Sequence, residues 1–336
     1  MSALKDRRVS GTDCGMKAPT KDFIVDESAP KRPDLIYYEM AGKRRKAHGT
    51  WYRGENTNFH PVRESLSEPD AVARYVGHGW FPTEPFITKD HYITAFGSCF
   101  AAEVSQFLAA EGYRVFGNQM HLNSHVVRSG EGIVNSAALV QQFEWAFNNR
   151  APSLEIWHDK TGNAVEVSDD VKETTRQIFD STDVFIFTLG LSEVWYDKPT
   201  GEVFWRAIPN QQFDPERHGF RVLGTEENRA NIRRVYKLVR EHRPDANIIF
   251  TLSPVPLAAT FRPISCITAN SVSKASLRVA IDEVMREFEG DRQLHYYPSY
   301  EIATAFLEDA FGVDMRHPRA ETVDFIMQTF KRHFLI

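Results

Sequence analysis

Short runs of β-prone, largely apolar residues, each followed by a segment with apolar residues at helical spacing, constrain this chain more than any other feature. The runs are 92–96 (Tyr-Ile-Thr-Ala-Phe), 113–117, 183–189, 246–252 and 294–297. Helix-like stretches lie at 101–111, 136–149, 170–181, 225–242, 270–288 and 319–333. A strand with one wet face alternates polar and apolar residues, whereas a strand covered on both faces has no need to. Continuous runs separated by amphipathic helices therefore predict an α/β fold with a parallel sheet between two helical layers. With 336 residues and 42% hydrophobic content, there is enough apolar material for a core of that kind.

The first 85 or so residues do not follow this pattern. The first thirty are polar, with Pro and Lys interspersed, and are expected to be disordered or a loosely attached arm. Lys43-Arg44-Arg45-Lys46 reads as a solvated loop, with a contact to an acidic ligand or polyanion as the alternative. The aromatic, Pro-rich segment from Trp51 to Trp80 and Phe81 is expected to pack on the main domain, where it could wall one side of a cleft. The expected division is an N-terminal extension over 1–85 and one domain over 86–336, with 150–168 as an inserted turn or small hairpin.

The stretch Tyr92 to Ala102 runs from a strand through Gly97-Ser98 into a helix with Val104, Phe107 and Leu108 on one face. Ser98 then stands at the carboxyl end of a strand and the amino end of a helix. Ligands bind at that edge of an open α/β sheet, and the unpaired N–H groups of a helix start favour negative charge. The plainer role for Ser98 is a helix N-cap. Far downstream stands Asp314-Met315-Arg316-His317-Pro318, before the last helix-like stretch. A carboxylate three residues before a histidine can hold one ring nitrogen and leave the other to take a proton from a serine hydroxyl.

Serine early and Asp-x-x-His before the last helix is an order that resembles the SGNH (GDSL-type) hydrolase superfamily. The chain resembles more narrowly the GSCFA-domain family, whose five residues stand here as Gly97-Ser98-Cys99-Phe100-Ala101. Further matching pieces are Gly132-Ile133-Val134-Asn135, Thr188-Leu189-Gly190-Leu191-Ser192-Glu193-Val194-Trp195, Thr251 to Pro256, Ser273 to Leu277, and Tyr297 to Glu301. The resemblance spans roughly 88–332 and implies a three-layer sandwich, SGNH-hydrolase type, with a five-stranded parallel sheet in the flavodoxin-like order 2-1-3-4-5. It also implies a nucleophile at Ser98, a base at His317 and an orienting carboxylate at Asp314.

A tetrahedral oxyanion needs preorganised donors. The resemblance assigns two of them to the N–H groups of Ser98 and Gly132. The superfamily's third donor is an asparagine in a Gly-x-Asn-Asp block, where this chain has Gly190-Leu191-Ser192-Glu193. The third donor is then the Ser192 hydroxyl, or an amide from Asn135 or Asn118. Asn135, Glu193, Trp195 and Ser253 lie at loop ends near this edge and are candidates for substrate contact. Cys99 is expected to point toward the sheet as a small buried thiol, and Asn270, Ser273 and Lys274 to open a helix.

His121 and His125 have i, i+4 spacing but lack further ligands nearby, so no metal site is expected. No other cofactor is expected. Three scattered cysteines form neither a disulfide framework nor a zinc pattern. A net charge of −5 argues against a nucleic-acid partner. No apolar run is long enough to span a membrane and no secretory leader is evident, so a cytoplasmic location is expected.

These features converge on a serine esterase or O-acyltransferase that forms an acyl-enzyme on Ser98, with acyl esters of a small molecule or a glycan as substrate. A catalytically silent carbohydrate- or partner-binding module on the same fold is the alternative. A nucleotide-binding protein of flavodoxin-like topology is disfavoured, because Gly97-Ser98-Cys99-Phe100 carries a single glycine where a phosphate loop needs several.

Overall fold

The computed structural model describes residues 24–25, 28, 30–48, 56–97, 99–116, 134–151, 158, 163, 168–205 and 207–336. The chain divides into two compact units, Met1–Ala71 and Val72–Ile336.

In the smaller unit, β1 (Leu35–Met40) pairs antiparallel with β2 (Lys43–His48). The basic run expected to be a solvated loop is thus a strand. Period-two alternation puts Lys43 and Arg45 on one face, where both meet Glu64, at 2.9 Å and 3.2 Å. Arg45 is buried and also donates to the Met40 carbonyl. Two of the four charges in this run thus have a carboxylate partner within the unit.

The larger unit begins within α1 (Ala71–Tyr75) and is built on a parallel sheet of β3 (Tyr92–Phe96), β4 (Arg114–Phe116), β5 (Val184–Leu189), β8 (Asn247–Leu252) and β9 (Leu294–Tyr297). The strand order is β4-β3-β5-β8-β9, which is 2-1-3-4-5 among the sheet's own strands. The crossovers run through α2 (Cys99–Ala110), α3 (Ser136–Asn148), α4 (Asp169–Ser181), α5 (Thr225–His242) and α6 (Cys266–Glu287). A hairpin of β6 (Glu193–Asp197) and β7 (His218–Val222), which the sequence pattern did not reveal, leaves the carboxyl end of β5. After β9 come α7 (Ser299–Glu301), a single π-helical turn and α8 (Ala320–Phe334).

All six residues of β5 are buried, and their alternation divides the core into two layers. Phe185 and Phe187 join Phe96, Phe143, Phe179 and Phe250 on one face. Val184 and Ile186 join Ile93, Phe100, Ile249, Met327 and Phe330 on the other. Burying one such side chain is worth roughly 1.5–3 kcal/mol, so neither layer could be left open without a large loss. Residues 72–85 belong to this larger unit. Within it Trp80 packs edge-on against Tyr296 with ring centroids 5.2 Å apart, and Phe81 stacks on His333. Most of 150–168, expected to be an inserted hairpin, lies outside the described residues, as do the first 23 residues.

Candidate active site

The first loop of the site leaves β3 at Gly97, whose φ of +145° suits glycine. A β-carbon there would lie 2.6 Å from the Thr188 carbonyl oxygen and 3.0 Å from Ala101 Cβ. The backbone therefore turns tightly against β5 before α2 starts at Cys99. Ser98, expected as nucleophile and oxyanion donor, lies outside the described residues, as do Gly132, Asn118, His121 and His125. Cys99 is described, and it is exposed rather than tucked toward the sheet. Cys99 is the first residue of α2, ahead of the face that carries Val104, Phe107 and Leu108, so that face did not settle its direction.

The second loop lies between the π-helical turn and α8. Asp314 and His317 meet within it, with Oδ2 of the carboxylate 2.6 Å from Nδ1 of the ring. The other carboxylate oxygen accepts the backbone N–H groups of Arg316 and His317, both at 3.0 Å. The His317 hydrogen bond, with those two N–H groups, holds the Asp314 carboxyl down to about 2. An ionised carboxylate only accepts, so Nδ1 carries the proton and Nε2 is the nitrogen that can take one up. A left-handed Met315, with φ of 55°, reverses the chain between the pair. The Gly312 N–H bonds the His317 carbonyl at 2.9 Å and closes the loop. Both partners remain about half exposed.

The third element is the carboxyl edge of β5 and β8. Gly190 and Leu191 donate their N–H groups to the Val134 carbonyl, at 2.8 Å and 3.2 Å. Ser192 is fully buried: its hydroxyl donates to the Ser273 carbonyl and accepts from Asn228, and its N–H donates to Ser273 Oγ. That hydroxyl has already used its single proton. Asn135 is buried and caps α3, accepting from the Ala138 N–H at 2.8 Å. Glu193 is buried with both oxygens within 2.9 Å of the Thr260 hydroxyl, and Ser253 Oγ accepts from the Val255 N–H. Trp195 sits in an aromatic group with Phe213, Phe220 and Phe261, and Phe261 is exposed. Trp80 and Phe81 have their partners on β9 and α8 instead.

Lys274 was expected near a helix start, but α6 begins eight residues earlier and the lysine is interior. It is 2% exposed, and its ammonium donates to the carbonyls of Gly190, Ser253 and Val255 at 2.7–2.8 Å. Burial pushes its pKa down to about 7, while three carbonyls facing one nitrogen favour the form with three protons. Only its place beside Ser273 in a recurrent Ser-Lys pair marked it in the sequence.

Residues 92–330 match the model of the GSCFA family. The chain belongs to the GSCFA family. No curated protein matches this GSCFA chain. Among solved structures, it is similar to a mutant of an acetyl-xylooligosaccharide esterase from Geobacillus Stearmophilus, at 16% identity with a TM-score of 0.37, covering 74% of this chain and 95% of that one. A carbohydrate esterase family 3 structure from Talaromyces cellulolyticus is 12% identical with a TM-score of 0.35, covering 72% and 95%. A salicylyl-acyltransferase from a tetracycline biosynthetic pathway is 12% identical with a TM-score of 0.36, covering 72% and 53%. Among the described residues of the GSCFA chain, no helix is long and apolar enough to cross a membrane, and no group of three or more His, Cys, Asp or Glu residues could hold a metal ion.

Proposed function

We propose that this GSCFA chain is a serine esterase or O-acyltransferase that passes an acyl group through Ser98. The observation that carries the reading is the 2.6 Å Asp314–His317 contact, which fixes the tautomer a general base needs. His317 Nε2 takes the proton of Ser98 Oγ as that oxygen attacks the ester carbonyl. The N–H groups of Ser98 and Gly132 receive the oxyanion. Collapse expels the alcohol oxygen, which leaves with the proton from His317. Water or a second hydroxyl then attacks the acyl-enzyme and gives its proton to His317. Collapse breaks the acyl–oxygen bond, and Ser98 Oγ leaves with that proton as the acid or new ester is released.

In this reading Ser192 is a scaffold residue rather than the third oxyanion donor, because its proton is committed to the Ser273 carbonyl. Asn135, Glu193 and Ser253 likewise shape the loops through bonds already made. Trp195 with Phe261 offers the wall on which a sugar ring of an acetylated or otherwise acylated carbohydrate would stack. The location proposed is the cytoplasm.

A fluorophosphonate probe tests the chemistry. Labelling that maps to Ser98 and disappears in Ser98→Ala is the expected result. A folded protein that stays unlabelled would leave the silent binding module as the better reading. Release of acetate from an acetylated oligosaccharide, compared with a nitrophenyl ester, then tests the substrate class.

A further inference from the structure

Two neighbouring residues of α6 gather the exits of two sheet strands. Ser273 holds Ser192 after β5 through two hydrogen bonds, at 2.7 Å and 3.1 Å. Lys274 holds Gly190 after β5, and Ser253 and Val255 after β8. These three carbonyls lie just past the strand ends, where no ladder partner serves them. A buried carbonyl must find a donor somewhere. An ammonium has three protons to give, and here it gives one to each. No other single side chain of this length supplies three divergent donors from one atom; arginine's fork is planar and wider.

The loop held in this way continues toward the dyad. One residue beyond Val255, the Pro256 carbonyl accepts from Arg316 Nε at 3.4 Å, and Arg316 precedes His317. The Leu257 N–H is tied back to α6 through Asn270 Oδ1 at 3.1 Å. A contiguous path of hydrogen bonds and backbone thus runs from the middle of α6 to the loop that carries the histidine.

We infer that Lys274 is a positioning residue for acyl transfer: its ammonium fixes the loops after β5 and β8 and, through Pro256 and Arg316, the placement of His317. The inference rests on the esterase reading above. It goes beyond packing, since a lysine that only fills the core would affect stability and leave chemistry alone.

The experiment uses the full chain and reads wild-type labelling at Ser98 first. Lys274→Met keeps the stem and removes the donors. Arg316→Ala leaves the buried network whole and cuts the path at its far end. Lys237→Met, at an exposed position on α5, is the control. Folding is checked by circular dichroism, and labelling rate, kcat and KM for nitrophenyl acetate are measured. Each path variant should lose roughly tenfold to a hundredfold in labelling rate and kcat, with KM within about twofold. The double variant should be little slower than Lys274→Met alone. A folded Lys274→Met that labels at the wild-type rate overturns the lysine's role while the esterase reading stands. Should Lys274→Met fail to fold, Arg316→Ala decides, and wild-type rates there overturn the proposal. A wild-type protein that does not label at all removes the esterase reading and the positioning role with it.

Discussion

A β-carbon on Gly97 would sit 2.8 Å from Thr188 Cβ and closer still to the carbonyl oxygen of the same residue. That carbonyl belongs to a strand paired on both sides, so it has little freedom to retreat. Gly97→Ala is therefore expected to lose about 2–4 kcal/mol of stability from overpacking and the unfavourable φ together. Urea denaturation measures the loss, and labelling at Ser98 should fall in whatever fraction remains folded. A variant as stable as wild type would mean that the turn relaxes without cost.

Ser98→Ala and His317→Ala should each remove nearly all esterase activity, and the double variant should be hardly worse, because the residues act as one unit. Asp314→Asn keeps the shape of the loop but offers the wrong partner to Nδ1–H, so a drop of about 10²–10⁴ is expected. Cys99 is exposed at the start of α2, and Cys99→Ala should leave turnover within a small factor. Steady-state rates on a nitrophenyl ester check all of these. Turnover surviving Ser98→Ala but not Cys99→Ala would identify the thiol as nucleophile.

Asp314 gives the dyad a wide working range on the acid side. Its folded pKa near 2 lies below the unfolded value of about 3.8, so its contribution is complete above pH 4 and is lost as pH falls through 2. Asp314→Asn should therefore flatten the loss of stability between about pH 4 and pH 2, as acid denaturation followed by circular dichroism would show. An identical acid response in both proteins would contradict the assignment.

His295 makes the opposite kind of contribution. Burial, between Phe86 and Phe334, pushes its imidazole down to about 4, against about 6.5 in an unfolded chain. The unfolded state takes up its proton first, so stability is full above about pH 6.5 and declines as pH falls toward 4. The decline attributable to this ring is at most about 3 kcal/mol. His295→Phe should flatten the stability–pH curve across that window, as thermal melts at pH 4.5 and 7.5 would show. Equal slopes in both proteins would place the acid sensitivity elsewhere.

Truncation locates the edge of the larger unit. Removing residues 1–71 leaves Trp80 and Phe81 in place, whereas removing 1–85 strips them from Tyr296 and His333. The longer deletion should melt several degrees lower than the shorter one. Identical melting temperatures would make 72–85 a dispensable strap.

The sheet and its helices could be read from the sequence because their signals are local. Val184 to Phe187 is apolar without a break, and α4 and α5 carry clear amphipathic stripes. What escaped notice depends on partners far along the chain. Glu193 read as a candidate for substrate contact, yet it is buried and bonded to Thr260, 67 residues away. Lys274 looked like a helix start, and its meaning lies in carbonyls 84, 21 and 19 residues distant. The β1–β2 ribbon was hidden by its charges, two of which meet one glutamate from outside the run. Asp314 and His317 were legible for the opposite reason: they stand three positions apart, and a single turn brings them together.

Helix α8 closes the second core layer with Ile326, Met327, Phe330 and Phe334. In a chain emerging from a ribosome, β3 appears more than 200 residues before that cover does. At roughly 5–20 residues per second, β3 waits on the order of ten seconds or longer for that part of its cover. Over that interval the nascent chain is a client for chaperones and a hazard for aggregation. The loop bearing Asp314 and His317 enters the fold together with α8, so the dyad is delivered by the same event that seals the core, and a chain too unfinished to be safe is also too unfinished to react.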